Sequence, residues 1–97
     1  MSVIVDFAVF PTDQGGSVGR HVARAVKIVR DSGLACRTHA MGTEIEGEFE
    51  EVMALVARCF EAVCRDSDRV YMTLAADYRR GRAGGLEGKL KSVEEKL

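Results

Sequence analysis

The side chains best suited to chemistry are concentrated in one short stretch, Ala40 to Glu48. It combines a hydroxyl at Thr43 with carboxylates at Glu44 and Glu46, and Met41 precedes the first of its two glycines. Such groups can hydrogen-bond a polar ring, balance a cation or lie against a ring face. No nucleophile with a matching base stands at a recognisable spacing in the sequence. The stretch therefore offers binding chemistry more readily than catalysis.

The elements on either side of this stretch would hold it in place. Alternating apolar residues predict a strand over Leu34 to Ala40, and a short second strand is predicted inside the stretch around Thr43 to Glu46. Apolar residues at helical spacing predict a helix from Phe49 to about Arg65. The acidic first turn of that helix suits the positive end of the helix dipole. The stretch is thus predicted to be a hairpin that leads directly into a helix.

The rest of the chain completes an α+β fold. We predict a first strand over Val3 to Phe10, then a helix from Ser17, as its N-cap, to Asp31 or Ser32. A last strand is predicted over Arg69 to Tyr78, and a short amphipathic helix over Leu86 to Leu97. The order β-α-β-β-α-β is that of a ferredoxin-like sandwich, here with an additional C-terminal helix. Residues 1–97 would form a single ligand-binding domain.

The face of the predicted sheet that the first two helices leave uncovered is unusually apolar. Its apolar residues are Ile4, Ala8, Phe10, Ala35 and Ala75, and its polar ones are Asp6, Arg37, His39, Thr73 and Asp77. Apolar faces of this kind usually meet another protein surface. We therefore expect a homo-oligomer with at least a symmetric dimer. A buried aspartate on that face would need a hydrogen-bonding or charged partner.

Composition and charge narrow the classes of protein. Apolar residues make up 46 % and charged residues 30 % of the 97 positions, as in an ordinary globular domain. With a net charge of −1, the chain lacks the excess of basic residues on which nucleic-acid binding depends. No apolar run approaches the ~20 residues of a membrane span, and no signal peptide is recognised. Three cysteines without a CxxC pattern favour a reducing compartment, so we expect a cytoplasmic protein that binds neither nucleic acid nor membrane.

Metal, cofactor and catalytic sites have little support in the sequence. His21 falls on a predicted helix and His39 on a predicted strand, without a third ligand at a metal-binding spacing. We therefore expect no metal, no cofactor and no catalytic residue. Two alternatives to a binding module stay open. One is a regulatory or structural interaction module without a ligand, and the other is a small enzyme, which would need Glu46 or Asp77 with a raised pKa beside its substrate.

Five runs of the sequence, in chain order, resemble the small thiamine-binding protein family. The most specific is Met41 to Glu48, and the others are Gly16 to Val18, Ser32 to Leu34, Ser67 to Tyr71 and Lys91 to Glu94. That family is related to bacterial proteins that bind thiamine or hydroxymethylpyrimidine. The resemblance implies a ferredoxin-like subunit and a tetramer made of two dimers. It also implies that the partner is thiamine or its hydroxymethylpyrimidine moiety, bound without catalysis.

Candidate ligand contacts follow from matching that ligand to the residues. Thiamine joins an aminopyrimidine, which needs paired donors and acceptors, to a cationic thiazolium. We expect Thr43 and Glu46 to contact the ligand directly and Met41 to line the pocket. Further candidates are Glu44, Ser17, Thr73 and Asp77. For each residue considered alone, a structural role is as plausible as contact with a ligand. That role would be helix-dipole pairing for Glu46 and a solvent-facing strand position for Thr43.

Overall fold

The order of the elements is the one that alternation and helical spacing predict. A computed structural model describes residues 1–97. Its elements are β1 (Ser2–Pro11), α1 (Gly19–Asp31), β2 (Ala35–His39), β3 (Gly42–Glu48), α2 (Phe49–Cys64), β4 (Val70–Tyr78) and α3 (Gly85–Lys96). The prediction of a ferredoxin-like α+β sandwich with an extra C-terminal helix is confirmed. No helix in the structure has the length and hydrophobicity that a membrane crossing requires.

The four strands form one antiparallel sheet in the order β2-β3-β1-β4. The most apolar strand, β1, lies inside the sheet and pairs with β3 on one side and β4 on the other. Val5 is opposite Ile45 on β3 and Ala76 on β4. Because side chains alternate between faces, this register places Phe7 and Thr43 on the face that carries α1 and α2. Asp6 and Glu44 lie on the opposite face, here called the open face.

The core lies between the sheet and the first two helices. The predicted inward face of β1 is buried, since its four members are at most 4 % exposed: Val3, Val5, Phe7 and Val9. Burying such side chains contributes about 1.5–3 kcal/mol each. Cys59 of α2 is fully buried and donates a hydrogen bond to the Ala25 carbonyl at 3.5 Å. Burial raises the pKa of its thiol to about 11, so Cys59 packs as a small apolar residue.

Helix α1 begins later than predicted. Its N-cap is Val18, which makes no side-chain capping hydrogen bond, so the prediction of Ser17 as the cap is wrong. Ser17 lies one residue before the cap and is exposed, outside the position from which a hydroxyl reaches the N2 or N3 amide. The predicted end at Asp31 or Ser32 is confirmed, because the helix ends at Asp31 with Ser32 as its C-cap. Gly33 follows with a φ of 81°, a conformation that favours glycine.

Helix α3 covers part of the open face. Its first turn is docked, with Leu86 6 % exposed against the sheet and Ile4 of β1 only 7 % exposed. Farther along, the apolar stripe turns outward, since Leu90 is 38 % and Val93 59 % exposed. The open face is bare at the end of the sheet that α3 does not reach, where Phe10 packs against Tyr71, and along β2, where Ala35 and Arg37 are exposed.

Candidate ligand-binding site

The hairpin between β2 and β3 is fixed by a histidine and a glycine. His39 accepts a hydrogen bond from the Met41 amide on Nδ1 at 3.2 Å. Its Nε2 therefore carries the proton and donates it to Asp6 Oδ1 at 2.9 Å. Gly42 lies so close to β1 that a Cβ atom there would be 2.8 Å from the Phe7 carbonyl oxygen. These contacts seat the hairpin tightly against the central strand.

A cavity of about 260 Å³, here called the hairpin cavity, lies between this hairpin, β1 and α1. Apolar side chains form most of its wall, including Phe7 from β1, the N-cap residue Val18, and Val22 and Val26 from α1. Neither a carboxylate nor a lysine or arginine is among its fourteen lining residues. The cavity is thus an apolar slot that suits a flat, uncharged ring.

The polar lining of the hairpin cavity comes from the two hairpin strands. Thr38 and Thr43 are register partners on β2 and β3, so their side chains share the helix-covered face. Thr43 is 6 % exposed, which excludes the solvent-facing position considered from the sequence. Its hydroxyl has no hydrogen-bond partner within the chain. Met41 stands at the rim and is 82 % exposed. The arrangement offers the hydroxyl of a buried threonine, Thr43, that of an exposed one, Thr38, and an exposed thioether at the entrance.

A second cavity of about 360 Å³ lies on the open face beneath α3. Three carboxylates line it, those of Asp6, Glu44 and Asp77, together with Lys89 and apolar residues of α3. Asp6 is engaged by His39. This cavity is therefore acidic, in contrast to the hairpin cavity on the other side of the sheet.

Asp77 is tied to two cations. Its carboxylate pairs with Lys89 Nζ at 2.6 Å and with the Arg82 guanidinium at 2.8 Å. These hydrogen bonds, that of Lys89 first, lower the pKa of Asp77 to about 2. Asp77 is consequently ionised near neutral pH, which is the opposite of the raised pKa that the enzyme alternative would need.

Glu46 holds the start of α3. Its carboxylate is buried and accepts hydrogen bonds from the Gly85 amide at 2.6 Å and the Leu86 amide at 3.3 Å. Helix α3 has no local side-chain cap, because Gly84 occupies the N-cap position. The glutamate therefore supplies from β3 the acceptor that the helix lacks, and its charge faces the positive end of the helix dipole.

The structure divides the predicted ligand contacts among several places. Thr43 and Met41 lie together in the hairpin cavity, whereas Glu46 lies on the opposite face of the sheet beneath α3. The remaining candidates are Glu44 and Asp77 in the second cavity, Thr73 on the open face of β4, and Ser17 exposed ahead of α1. Thr43 and Glu46 do not line a common cavity in one subunit. A direct contact between Glu46 and a ligand stays a prediction.

Two polar features of the site were not assigned from the sequence. Thr38 joins Thr43 in the hairpin cavity, and the alternation of β2 already placed Thr38 on the inward face. The hydrogen bond between His39 and Asp6 was not predicted. The sequence indicated only that an aspartate buried on that face would need a hydrogen-bonding or charged partner. No group of three or more His, Cys, Asp or Glu residues is arranged to hold a metal ion.

Comparison with known proteins gives consistent matches along the chain. The model of the family described as thiamine-binding protein matches residues 5–94. A UPF0045 protein of Mycobacterium bovis is 44 % identical over 98 residues, covering 100 % of this chain and 96 % of the relative. The structure of a Methanocaldococcus jannaschii protein matches with a TM-score of 0.90 at 31 % identity, covering 97 % of both chains.

A further solved structure, from Thermotoga maritima, is named for thiamine biosynthesis or salvage. It matches with a TM-score of 0.81 at 26 % identity, covering 95 % of this chain and 99 % of that one. Sequence and fold thus agree from the first strand to the last helix. Because the family model spans nearly the whole chain, this protein belongs to the thiamine-binding protein family.

Proposed function

We propose that this protein binds thiamine or its hydroxymethylpyrimidine moiety in the hairpin cavity, without changing the ligand chemically. The observation that carries the proposal is the apolar cavity beside the hairpin, which contains the unpartnered hydroxyl of Thr43. Membership of the thiamine-binding family and the name of the Thermotoga maritima neighbour support the choice of ligand. The three free cysteines support a cytoplasmic setting.

The ligand's pyrimidine ring fits the chemistry of this cavity. The ring is flat and uncharged, so it can pack between Phe7 and the valines of α1. Its nitrogen atoms and amino group can hydrogen-bond the hydroxyls of Thr38 and Thr43. The cationic thiazolium of thiamine would then project past Met41 toward solvent, since no carboxylate lines the cavity.

Replacing Thr43 by valine should weaken binding about two- to tenfold, since a neutral hydrogen bond contributes ~0.5–1.5 kcal/mol. Valine preserves the shape of threonine and removes only the hydroxyl. Isothermal titration calorimetry with thiamine and with hydroxymethylpyrimidine measures the effect. Thr73→Val is the matched comparison, because Thr73 is exposed on the other face of the sheet and should leave affinity unchanged.

Two results would count against the site. If Glu44→Gln weakened binding while Thr43→Val did not, the ligand would lie in the second cavity under α3. If the native protein bound neither compound, the proposed function itself would be wrong, and an interaction module without a ligand would be favoured.

We also propose that the protein is a homotetramer. The uncovered part of the open face supports this, because Tyr71 is 56 % exposed there beside Phe10. Light scattering at micromolar concentration should give the mass of a tetramer. Tyr71→Glu should reduce that mass without unfolding the subunit, because the side chain is exposed. A monomeric native protein would refute the proposal.

A further inference from the structure

We propose that His39 is a positioning residue for the hairpin cavity, and that taking up a proton on its imidazole releases the cavity rim and lowers affinity for the ligand. The inference rests on the proposed function, because it concerns how the same cavity is kept ready for a ring. It goes beyond that function by making binding depend on the charge of one side chain.

The turn of the hairpin, residues 40–42, forms part of the cavity wall. Every residue from Thr38 to Thr43 lines the cavity, so the wall follows the chain around the turn. The pairing of β3 with β1 ends where Thr43 lies opposite Phe7, and the turn lies beyond that pair. The shape of this wall therefore depends on contacts other than the pairing of β3 with β1.

One imidazole supplies two such contacts. His39 Nδ1 accepts the Met41 amide at 3.2 Å, and Nε2 donates to Asp6 Oδ1 at 2.9 Å. Because β3 lies between β2 and β1, the second bond crosses β3 to reach the central strand. Gly42 leaves room for it, since a Cβ atom there would lie 3.1 Å from Asp6 Oδ1. His39 thus ties the turn to β1.

The hydrogen bond to the Met41 amide exists only while the imidazole is neutral. A neutral imidazole has one acceptor nitrogen, whereas an imidazolium has two donors and no acceptor. A proton taken up at Nδ1 would therefore face the Met41 amide proton and break that bond, while Nε2 still donates to Asp6. Binding would then have to order the turn, and affinity falls in proportion to the fraction that is ordered.

The charged side chains on the open face allow an imidazolium at this position. They are Asp6 on β1, Arg37 on β2, Glu44 on β3, Asp77 on β4 and Lys89 on α3. Lys89 is paired with Asp77 at 2.6 Å, and Arg37 lies opposite Glu44. Helix α1, across the sheet, contributes only apolar side chains to the cavity lining. The carboxylate of Asp6 therefore faces His39 directly and balances the charge where it forms.

The test measures affinity for hydroxymethylpyrimidine and for thiamine by calorimetry between about pH 5 and 8, where imidazoles usually change charge. His39→Asn is the matched variant, because its Oδ1 atom can accept the Met41 amide but does not titrate. The His39 side chain is 34 % exposed, so the variant should fold. Since the aminopyrimidine also takes up protons, the quantity compared is the ratio of the two affinities at each pH.

As the pH falls, the native protein should lose about two- to tenfold in affinity relative to His39→Asn. Thr43→Val should bind more weakly at every pH and keep the pH dependence of the native protein, because it retains His39. A second measurement needs neither a variant nor a ligand. In NMR spectra of the native protein, the Met41 amide proton should move upfield, as a lost hydrogen bond requires, with the same midpoint as the His39 imidazole.

Two results would overturn the inference while the proposed function stands. One is a ratio of affinities that does not change with pH, and the other is a Met41 amide proton that does not follow the titration of His39. If neither compound binds at any pH, both the inference and the proposed function are overturned.

Discussion

Replacing Glu46 by glutamine is expected to release α3 from the sheet, lowering the free energy of its opening by about 1.5–3 kcal/mol. The carboxylate accepts two backbone amides in a buried setting, at 2.6 Å from Gly85 and 3.3 Å from Leu86. A glutamine side chain can accept only one of them and presents its own NH₂ group to the other. Native-state hydrogen exchange at the amides of α3 measures the change.

Glu48→Gln is the matched control for this measurement. Glu48 lies at the end of the same strand and pairs with the N-terminal amine, but both partners are more than half exposed. Surface ion pairs contribute about 0–1 kcal/mol, so exchange in α3 should be unchanged. If Glu46→Gln left α3 protected and weakened ligand binding instead, the direct contact predicted from the sequence would be supported over the capping role.

Gly42→Ala is expected to destabilise the protein by about 1–3 kcal/mol, because the added methyl group would overlap the backbone of the neighbouring strand, β1. Its Cβ atom would lie 2.8 Å from the Phe7 carbonyl oxygen and 3.1 Å from Asp6 Oδ1. Phe7 belongs to the central strand, so β3 must move away from β1 to relieve the contact. Denaturant unfolding followed by circular dichroism measures the loss.

Gly47→Ala, in the same strand, separates this steric effect from a general effect of alanine. The Cβ atom there would meet only side chains, at 3.3 Å from Val52 Cγ2 and 3.4 Å from Leu34 Cδ2, which can shift slightly. The Gly47 variant should therefore lose less stability than the Gly42 variant. Equal losses in the two variants would contradict the proposed role of the close approach at Gly42.

The fold could be predicted from the sequence because its signals are local. The alternation of β1 and the helical spacing of α2 each state which side chains face the core, and burial agrees with both. The same alternation also implies that Thr43 and Glu46 point to opposite faces, since three positions separate them in a strand. Grouping them as contacts of one ligand relied on their closeness in the sequence. Side chains on opposite faces of a strand do not line the same cavity.

The roles of Glu46 and Asp77 could not be predicted, because each depends on how α3 is placed. A helix that starts at Gly84 without a side-chain cap signals a missing acceptor, but the sequence does not say which distant carboxylate supplies it. Asp77 was weighed as an acid or base, yet its partners lie on the loop and helix that follow it, at Arg82 and Lys89. The docking of α3 onto residues distant in the chain produces no periodic pattern in the sequence.

The position of β1 between β3 and β4 has a consequence for synthesis of the chain on the ribosome. Both neighbours of β1 are encoded downstream, and Pro11 at its end pairs with Val70 at the start of β4. At roughly 5–20 residues per second, the intervening stretch of about 60 residues takes about 3–12 s to add. Until β3 is added, the most apolar strand has both edges unpaired, and the edge that β4 covers stays unpaired through the whole interval, a state prone to aggregation. Nascent chains should therefore engage holding chaperones through Val3–Phe10 until β4 emerges.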